Sequence, residues 1–325
     1  MNNKLKRQIN TRFNFENLMN YVSGASIIVL IIAFAAMNQR FVSLLNIKNL
    51  LTDISPLLAM SCGVTMVLLI GSIDLSIGSI VSCSVVLFTV LLQKIGYWSY
   101  PAVILFGVFA GLLNGFVYAK MKVPSFIVTL CAASIWQSAA YLLSGGIPLS
   151  MGPKILGFVR WGKINFSFLP LLFIISVVFI LFYYIFQQRT VMGKTIYAVG
   201  ANERAARIAG LNVDAAKMWA FTLSGVGSAV AGLLFAVKLM SGIPTLGESY
   251  TLLAIAAAVL GGNSLMGGKG SVFMALLGVS LVIVIQNGLD VVGVGVFWQQ
   301  VIFGVLVLFA VYTNVARSGR DTINK

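Results

Sequence analysis

Few residues in this sequence can do chemistry, and they gather at three places. The first is Gly71-Ser72-Ile73-Asp74-Leu75-Ser76-Ile77-Gly78-Ser79, which sets one carboxylate among small and hydroxylated residues between two apolar stretches. A carboxylate facing lipid costs about 2.5–3.5 kcal/mol on insertion scales, so Asp74 belongs at an interface, in a protein-lined cavity, or against backbone N–H groups. Just ahead of Leu75 and Ser76 it is suited to cap a following helix or to hold a turn; the other reading is a place on a solute path. The second place is the glycine-rich stretch 261–271, opening with Gly261 and Gly262. Gly261, Leu265 and Gly268 repeat the spacing of Gly71, Leu75 and Gly78, a hint of duplicated structure. Interrupted segments in two halves often mark a transporter's central site. Gly268-Lys269 invites comparison with a phosphate loop. That loop requires Gly five residues ahead of the Gly-Lys glycine and Ser or Thr after the Lys. Asn263 and Gly270 stand there instead, so nucleotide binding by this chain alone is rejected.

The third place lies in 200–213. Asn202 reads as an N-cap and Glu203 occupies the first turn, where a helix dipole favours an acid. Arg207 follows at i+4 in the better ion-pair orientation, and Gly210 is placed to end the helix. The plain reading is a solvated loop helix; the functional one is a rigid docking element for a cytoplasmic partner. The chain has no His, which removes the usual general base and metal ligand. Its cysteines, Cys62, Cys83 and Cys131, sit unpaired in apolar stretches and read as buried small hydrophobes. No catalytic residue, metal site or cofactor is expected, and an enzyme is disfavoured.

The elements that must position these groups follow from composition. Of the 325 residues 59% are hydrophobic and 9% charged, against about 45–50% and 25% in soluble domains. This excludes a soluble enzyme and a flexible linker protein. Apolar runs at 18–37, 56–70, 77–92, 101–119, 124–143, 166–186, 218–237, 252–260, 272–285 and 297–315 are continuous rather than alternating, so they are helices and not barrel strands. The expectation is an all-α polytopic membrane bundle of about ten spans. The segment 38–55 reads as a mixed connection, and the spans proper hold no Asp, Glu, Lys or Arg. With the N-terminus inside, alternation places 15 Lys and Arg in cytoplasmic segments, including Lys4, Lys6, Arg7, Arg12, Arg320 and Lys325, and 7 outside. This bias puts both termini in the cytoplasm and accounts for much of the +14 net charge without a nucleic-acid partner. Residues 1–325 read as one transmembrane domain, with 187–217 as a cytoplasmic loop.

Close helix packing uses small residues. Gly107, Gly111 and Gly115 form two GxxxG steps, and Ser224, Ser228 and Gly232 repeat the pattern. Asn114 beside the first face can hydrogen-bond across helices. Asn114, Gln137, Asn287 and Trp298 are candidates to face a solute path, each with packing as the plainer role.

Three stretches, 71–79, 197–213 and 254–271 followed by Asn287-Gly288-Leu289, together resemble the membrane subunits of bacterial ribose-type ABC sugar importers. The resemblance covers most of the chain. It implies a permease of the bacterial inner membrane, working as a homodimer or paralogue heterodimer in membrane lipid. Cytoplasmic ATPase subunits would drive it and an extracytoplasmic solute-binding protein would feed it. Asn202, Glu203, Ala206, Arg207 and Gly210 fall where that family places its ATPase-coupling segment, making 187–217 a coupling loop. Gly71, Ser72, Asp74, Ser76, Gly78, Asn114, Gly261, Gly262 and Asn287 are the candidates for path or helix break. The chain departs from the family at Ser72, usually Gly. It departs again at Thr251 and Leu253, where the family often has Glu and Asp; only Glu248 is acidic nearby. The alternative is a secondary transporter driven by an ion gradient, a class that usually needs buried ionisable groups.

Overall fold

The computed structural model describes residues 24–317, which form a helix bundle with only two-residue strands. The helices are α1 (Gly24–Met37), α2 (Leu44–Leu69), α3 (Ile77–Ile95), α4 (Ser99–Lys120), α5 (Ser125–Ser144), α6 (Pro153–Leu156), α7 (Leu171–Arg189), α8 (Val191–Ala201), α9 (Glu203–Ile208), α10 (Val213–Leu239), α11 (Glu248–Leu260), α12 (Val272–Val292) and α13 (Val296–Arg317). Each apolar run maps onto one of them. The start of the first run and the basic residues of both ends (Lys4, Lys6, Arg7, Arg12, Arg320 and Lys325) lie outside the described residues.

Among the described residues six helical stretches are long and apolar enough to cross a membrane: α2, α5, α7, α10, α12 and the stretch Ile77–Lys120, which holds α3 and α4. Three apolar helices are shorter: α1, α11 and the Val296–Phe309 part of α13.

The mixed segment before Pro56 is not a connection. Ser43 caps α2 by accepting from the Asn46 N–H, and the helix runs through Pro56 without a break. One internal Pro removes one backbone bond and does not end a helix that is packed on several sides. Lys48 and Asp53 therefore lie inside α2, and Asp53 pairs with Lys238 of α10, which corrects the expectation of uncharged spans. Cys62 and Cys83 are buried as expected, whereas Cys131 is exposed on α5.

The core is α10 against α2, α3 and α4. In the apolar windows of α10 and α2, 89% and 78% of residues are buried, against 22% in α5, so the former are central and the latter peripheral. Small residues make this possible. A Cβ at Gly111 would lie 2.3 Å from the Phe221 carbonyl oxygen, one at Gly107 2.4 Å from the Ala229 Cβ, and one at Gly115 2.8 Å from the Met218 Cα. On the other faces of α10, Gly63 of α2 meets the Ser224 backbone, and a Cβ at Gly232 would lie 2.6 Å from that of Ser84 on α3. The first pattern packs α4 on α10 and the second turns toward α2 and α3, so α10 is clasped on three sides.

Gly111→Leu must push α4 off α10. The expected loss is about 1–3 kcal/mol or more, read as a lower unfolding temperature of the detergent-solubilised protein. Leu112→Ala, at a position 42% exposed, is expected within about 0.5 kcal/mol of the parent.

Candidate functional site

Helix α2 ends because its last turn closes on itself: the Gly71 N–H donates to the Leu68 carbonyl and the Ser72 N–H to the Val67 carbonyl. Gly71 has φ +71°, a left-handed conformation that glycine adopts without strain. Five residues without regular structure follow before α3. Their polar side chains are satisfied within the stretch and by side chains from other helices. Ser72 donates its hydroxyl to the Tyr118 hydroxyl at 2.9 Å. The Asp74 carboxylate accepts from the Ser76 N–H at 3.0 Å and hydroxyl at 2.6 Å through Oδ1, and from the Ser224 hydroxyl at 2.7 Å through Oδ2. Asn114 donates to the Ser76 hydroxyl at 2.8 Å. Of the cap and turn readings the turn holds, and Asp74 does not cap the first turn of α3. The residue preceding the helix is Ser76, and Asp74 binds that residue's N–H in a turn one step earlier.

Helix α11 also starts inside the bundle. After α10, Met240 adopts φ +51°, and Ser241–Gly242 pairs with Leu149–Ser150 in a short antiparallel ladder. The chain then turns inward until the Gly247 N–H donates to the Ser82 hydroxyl of α3 at 2.9 Å. A Cβ at Gly78 would sit 2.4 Å from the Gly247 oxygen, and one at Gly247 only 1.8 Å from the Gly78 oxygen. The starts of α3 and α11 are therefore in contact. Thirteen residues give α11 a length of about 20 Å, short of the roughly 30 Å hydrocarbon core. Beside this junction a cavity of about 310 Å³ is lined by Ser79 of α3, Ser134 and Gln137 of α5, and Glu248 and Thr251 of α11.

At one end of the bundle, α8 packs against both glycine-rich stretches. A Cβ on Gly200 would fall 1.8 Å from the Leu69 oxygen and 2.5 Å from the Gly268 nitrogen. The Gly268 N–H itself donates to the Leu69 carbonyl at 2.9 Å. The Tyr197 hydroxyl donates to the Gly270 carbonyl at 2.6 Å, and burial pushes this hydroxyl's pKa up to about 12, so it stays a donor. Gln187 of α7 donates to Tyr197 and accepts from the Val272 N–H at the start of α12.

Helix α9 follows α8 at once. Asn202 caps it by accepting from the Ala205 N–H at 2.9 Å. Gly210, at φ +79°, lets the Leu211 N–H return to the Ala206 carbonyl, and Ala206 is buried. Glu203 pairs with Lys217 at 2.9 Å and Arg207 at 3.4 Å; Asp214 pairs with Lys120 at 3.1 Å and Arg207 at 3.5 Å. Partial burial works against ionised Glu203, but Lys217 and then Arg207 outweigh it and hold its carboxyl below the ordinary range. This chain of charges ties α9 to α10 and α4.

A second cavity, about 470 Å³, lies at the opposite end, between the start of α2 and the ends of α10 and α12; Asn46, Asp53, Lys238, Asn287 and Asp290 line it. Asn46 and Asn287 exchange amide hydrogen bonds at 2.7 and 3.0 Å, and Asp290 accepts from Gln299 at 2.7 Å.

Of the residues singled out by sequence, Gly71, Ser72, Asp74, Ser76, Gly78 and Asn114 come together at one centre. Ser224, read as a packing residue, joins them through its hydroxyl. Asn287 lies at the far cavity. Gly261 is helical, and a Cβ there would meet the Met274 oxygen at 1.8 Å, so it packs α11 on α12; Gly262 takes φ +115° in the connection that follows. The stretch 261–271 links α11 to α12 and meets the end of α2. The turn 241–247, which leads to the contact with Gly78, is signalled in the sequence only by Gly242, Pro244 and Gly247. Helix α8 was also missed, although Thr190 caps it visibly by accepting from the Gly193 N–H.

A bundle with two helices that start side by side at a polar centre, and a charge-paired helical elbow at one end, defines a multi-pass membrane transport protein rather than an enzyme. Residues 46–311 match the family model described as branched-chain amino acid transport system / permease component, and the chain belongs to that permease family. It is 34% identical to the ribose import permease protein RbsC of Bacillus subtilis over 94% of this chain and 96% of that one. It is equally 34% identical to the Haemophilus influenzae RbsC (90% and 92% covered) and to the L-arabinose transport system permease protein AraH of Escherichia coli (87% and 86%). No solved structure matches.

Ser224→Ala removes one donor from the buried Asp74. The expected cost is about 1–2 kcal/mol, whereas Asp74→Leu leaves Ser76 and Ser224 unpaired together and is expected to cost more. Thermal unfolding in detergent measures both.

Proposed function

We propose that this chain is the membrane subunit of an ATP-driven importer for a simple, ribose-like sugar. In this reading it spans the cell membrane ten times with both termini in the cytoplasm, pairs with a second permease, and receives solute from an extracytoplasmic binding protein. The observation that carries the proposal is mechanical. The α8–α9 elbow packs directly on the end of α2 and on the 267–270 loop. Those two points lead on to the Asp74 centre and to α12. A push on Asn202, Glu203, Ala206, Arg207 and Gly210 by a nucleotide-dependent partner is thereby passed to the broken helices. The chain has no phosphate loop of its own, so the work comes from a separate ATPase.

The sugar comes from the ribose and arabinose permeases named above, which match over most of their length; the family description names amino acids instead. Ion-gradient transport is the competing class, and the ionisable groups inside the bundle are already engaged: Asp53 with Lys238 and Asp74 with Ser76 and Ser224.

Replacing Glu203 and Arg207 together by Ala is expected to lower D-ribose uptake at least tenfold and to abolish co-purification of the ATPase, with normal membrane insertion. Unchanged uptake would refute the coupling role. Uphill uptake into vesicles holding only this chain, driven by a proton or sodium gradient, would refute the ATP-driven reading.

A further inference from the structure

We propose that the cavity beside the junction of α3 and α11 binds the solute in transit, and that it is built for one uncharged, hydroxyl-rich molecule of monosaccharide size. The inference rests on the permease reading above and adds the place and chemistry of the solute contact.

The volume, about 310 Å³, sits at the lower edge of the roughly 300–1,000 Å³ range of ligand pockets. The lining carries an unusual density of neutral hydrogen-bonding groups for a bundle this apolar: Ser79, Ser134, Gln137 and Thr251, with Glu248 the one charge. Gln137 supplies the most telling feature. Its Nε2 donates to the Pro244 carbonyl at 2.8 Å, which fixes the amide, while its Oε1 is buried with no hydrogen-bond partner. A buried acceptor left unpaired calls for an explanation, and a solute hydroxyl is the donor that fits. Glu248 accepts only a long bond from the Tyr141 hydroxyl at 3.3 Å, leaving lone pairs for further hydroxyl donors. Ser134 and Thr251 bond only to carbonyls of their own helical stretches, at 3.4 and 3.3 Å, and their hydroxyls can also accept.

The charge pattern narrows the class. The lining has no Lys or Arg, so an anionic solute would meet Glu248 with no compensating cation in a medium of low dielectric. An amino acid with a branched side chain could pair its ammonium with Glu248. Its carboxylate would find no cationic side chain, and its apolar end only Leu75 and Ala133. A neutral polyol meets neither difficulty.

The test uses cells carrying the whole importer and measures uptake of D-ribose, L-arabinose and L-leucine. Ser134 is exposed to the cavity on the peripheral helix α5, so Ser134→Leu fills the space without disturbing the core. Expected are sugar uptake by the parent, at least a tenfold fall in Ser134→Leu, and a severalfold fall in Thr251→Val. Uptake at the parental rate by properly inserted Ser134→Leu overturns the site and leaves the sugar-importer reading standing. Uptake of L-leucine and of neither sugar by the parent overturns the proposed class, and the sugar reading with it. Should Ser134→Leu fail to insert, a Ser134→Cys variant with Cys131→Ser decides, since Cys62 and Cys83 are buried. D-ribose is expected to slow its labelling by an impermeant thiol reagent at least threefold; equal rates with and without the sugar overturn the site.

Discussion

Lipid offers no hydrogen bonds, and this constraint governs the whole molecule. A helix can be interrupted at membrane depth only where the protein supplies the partners that water would give elsewhere. Two helices, α3 and α11, start inside the bundle, and the chain meets the demand differently each time. At the first, a carboxyl side chain does the organising. Asp74 gathers two donors from Ser76 and one from Ser224, and Asn114 adds a bond to Ser76. At the second, close backbone approach does it: Gly247 lies against Gly78 and donates to Ser82. Removing the small residues would separate the helices before it removed any bond.

The packing core and the polar centre are therefore one device. Ser224 packs its backbone against Gly63 and offers its hydroxyl to Asp74. Gly107, Gly111 and Gly115 hold α4 close enough to α10 for Asn114 and Tyr118, both on α4, to reach Ser76 and Ser72. A looser α4–α10 contact would leave two hydroxyl groups and an amide without partners in an apolar interior. Stability and site geometry depend here on the same backbone distances.

Much of this was legible in the sequence, for physical reasons. Continuous apolar runs can only be helices in lipid, and GxxxG spacing marks the face that packs. A lone Asp in a Gly and Ser setting announces a break. The α9 cap, its first-turn acid and its closing glycine follow local rules that tertiary structure had no cause to override. What failed were readings that depend on neighbours. The polar residues Asn46 and Asp53 look like loop, yet they share a face of α2 that borders a cavity made by α10 and α12. Gly261 looks like part of a break, yet it serves packing against α12. The break before α11 carries no acid, so nothing local set it apart from an ordinary connection. Gln187 and Tyr197 appear as unremarkable polar residues until α7 and α8 fold back over the start of α12.

The charges around α9 bear on how force could pass through the chain. Exposed ion pairs are worth about 0–1 kcal/mol each, and the side chains of Glu203 and Arg207 are 45% and 59% exposed. Such pairs add little to stability and re-form easily. The contacts beneath them are of another kind: backbone against backbone at Gly200, Leu69 and Gly268, with no side chain to yield. On the proposed reading, a partner can therefore take over the outer charges at small cost, while the glycine contacts transmit displacement with little slack. Lys217 is the one cation of the set that is mostly shielded, at 12% exposure, and it belongs to α10, the helix that carries Ser224. The least exposed cation of the elbow thus sits on the helix whose Ser224 binds Asp74, so on the proposed reading one rigid element links the elbow to the polar centre.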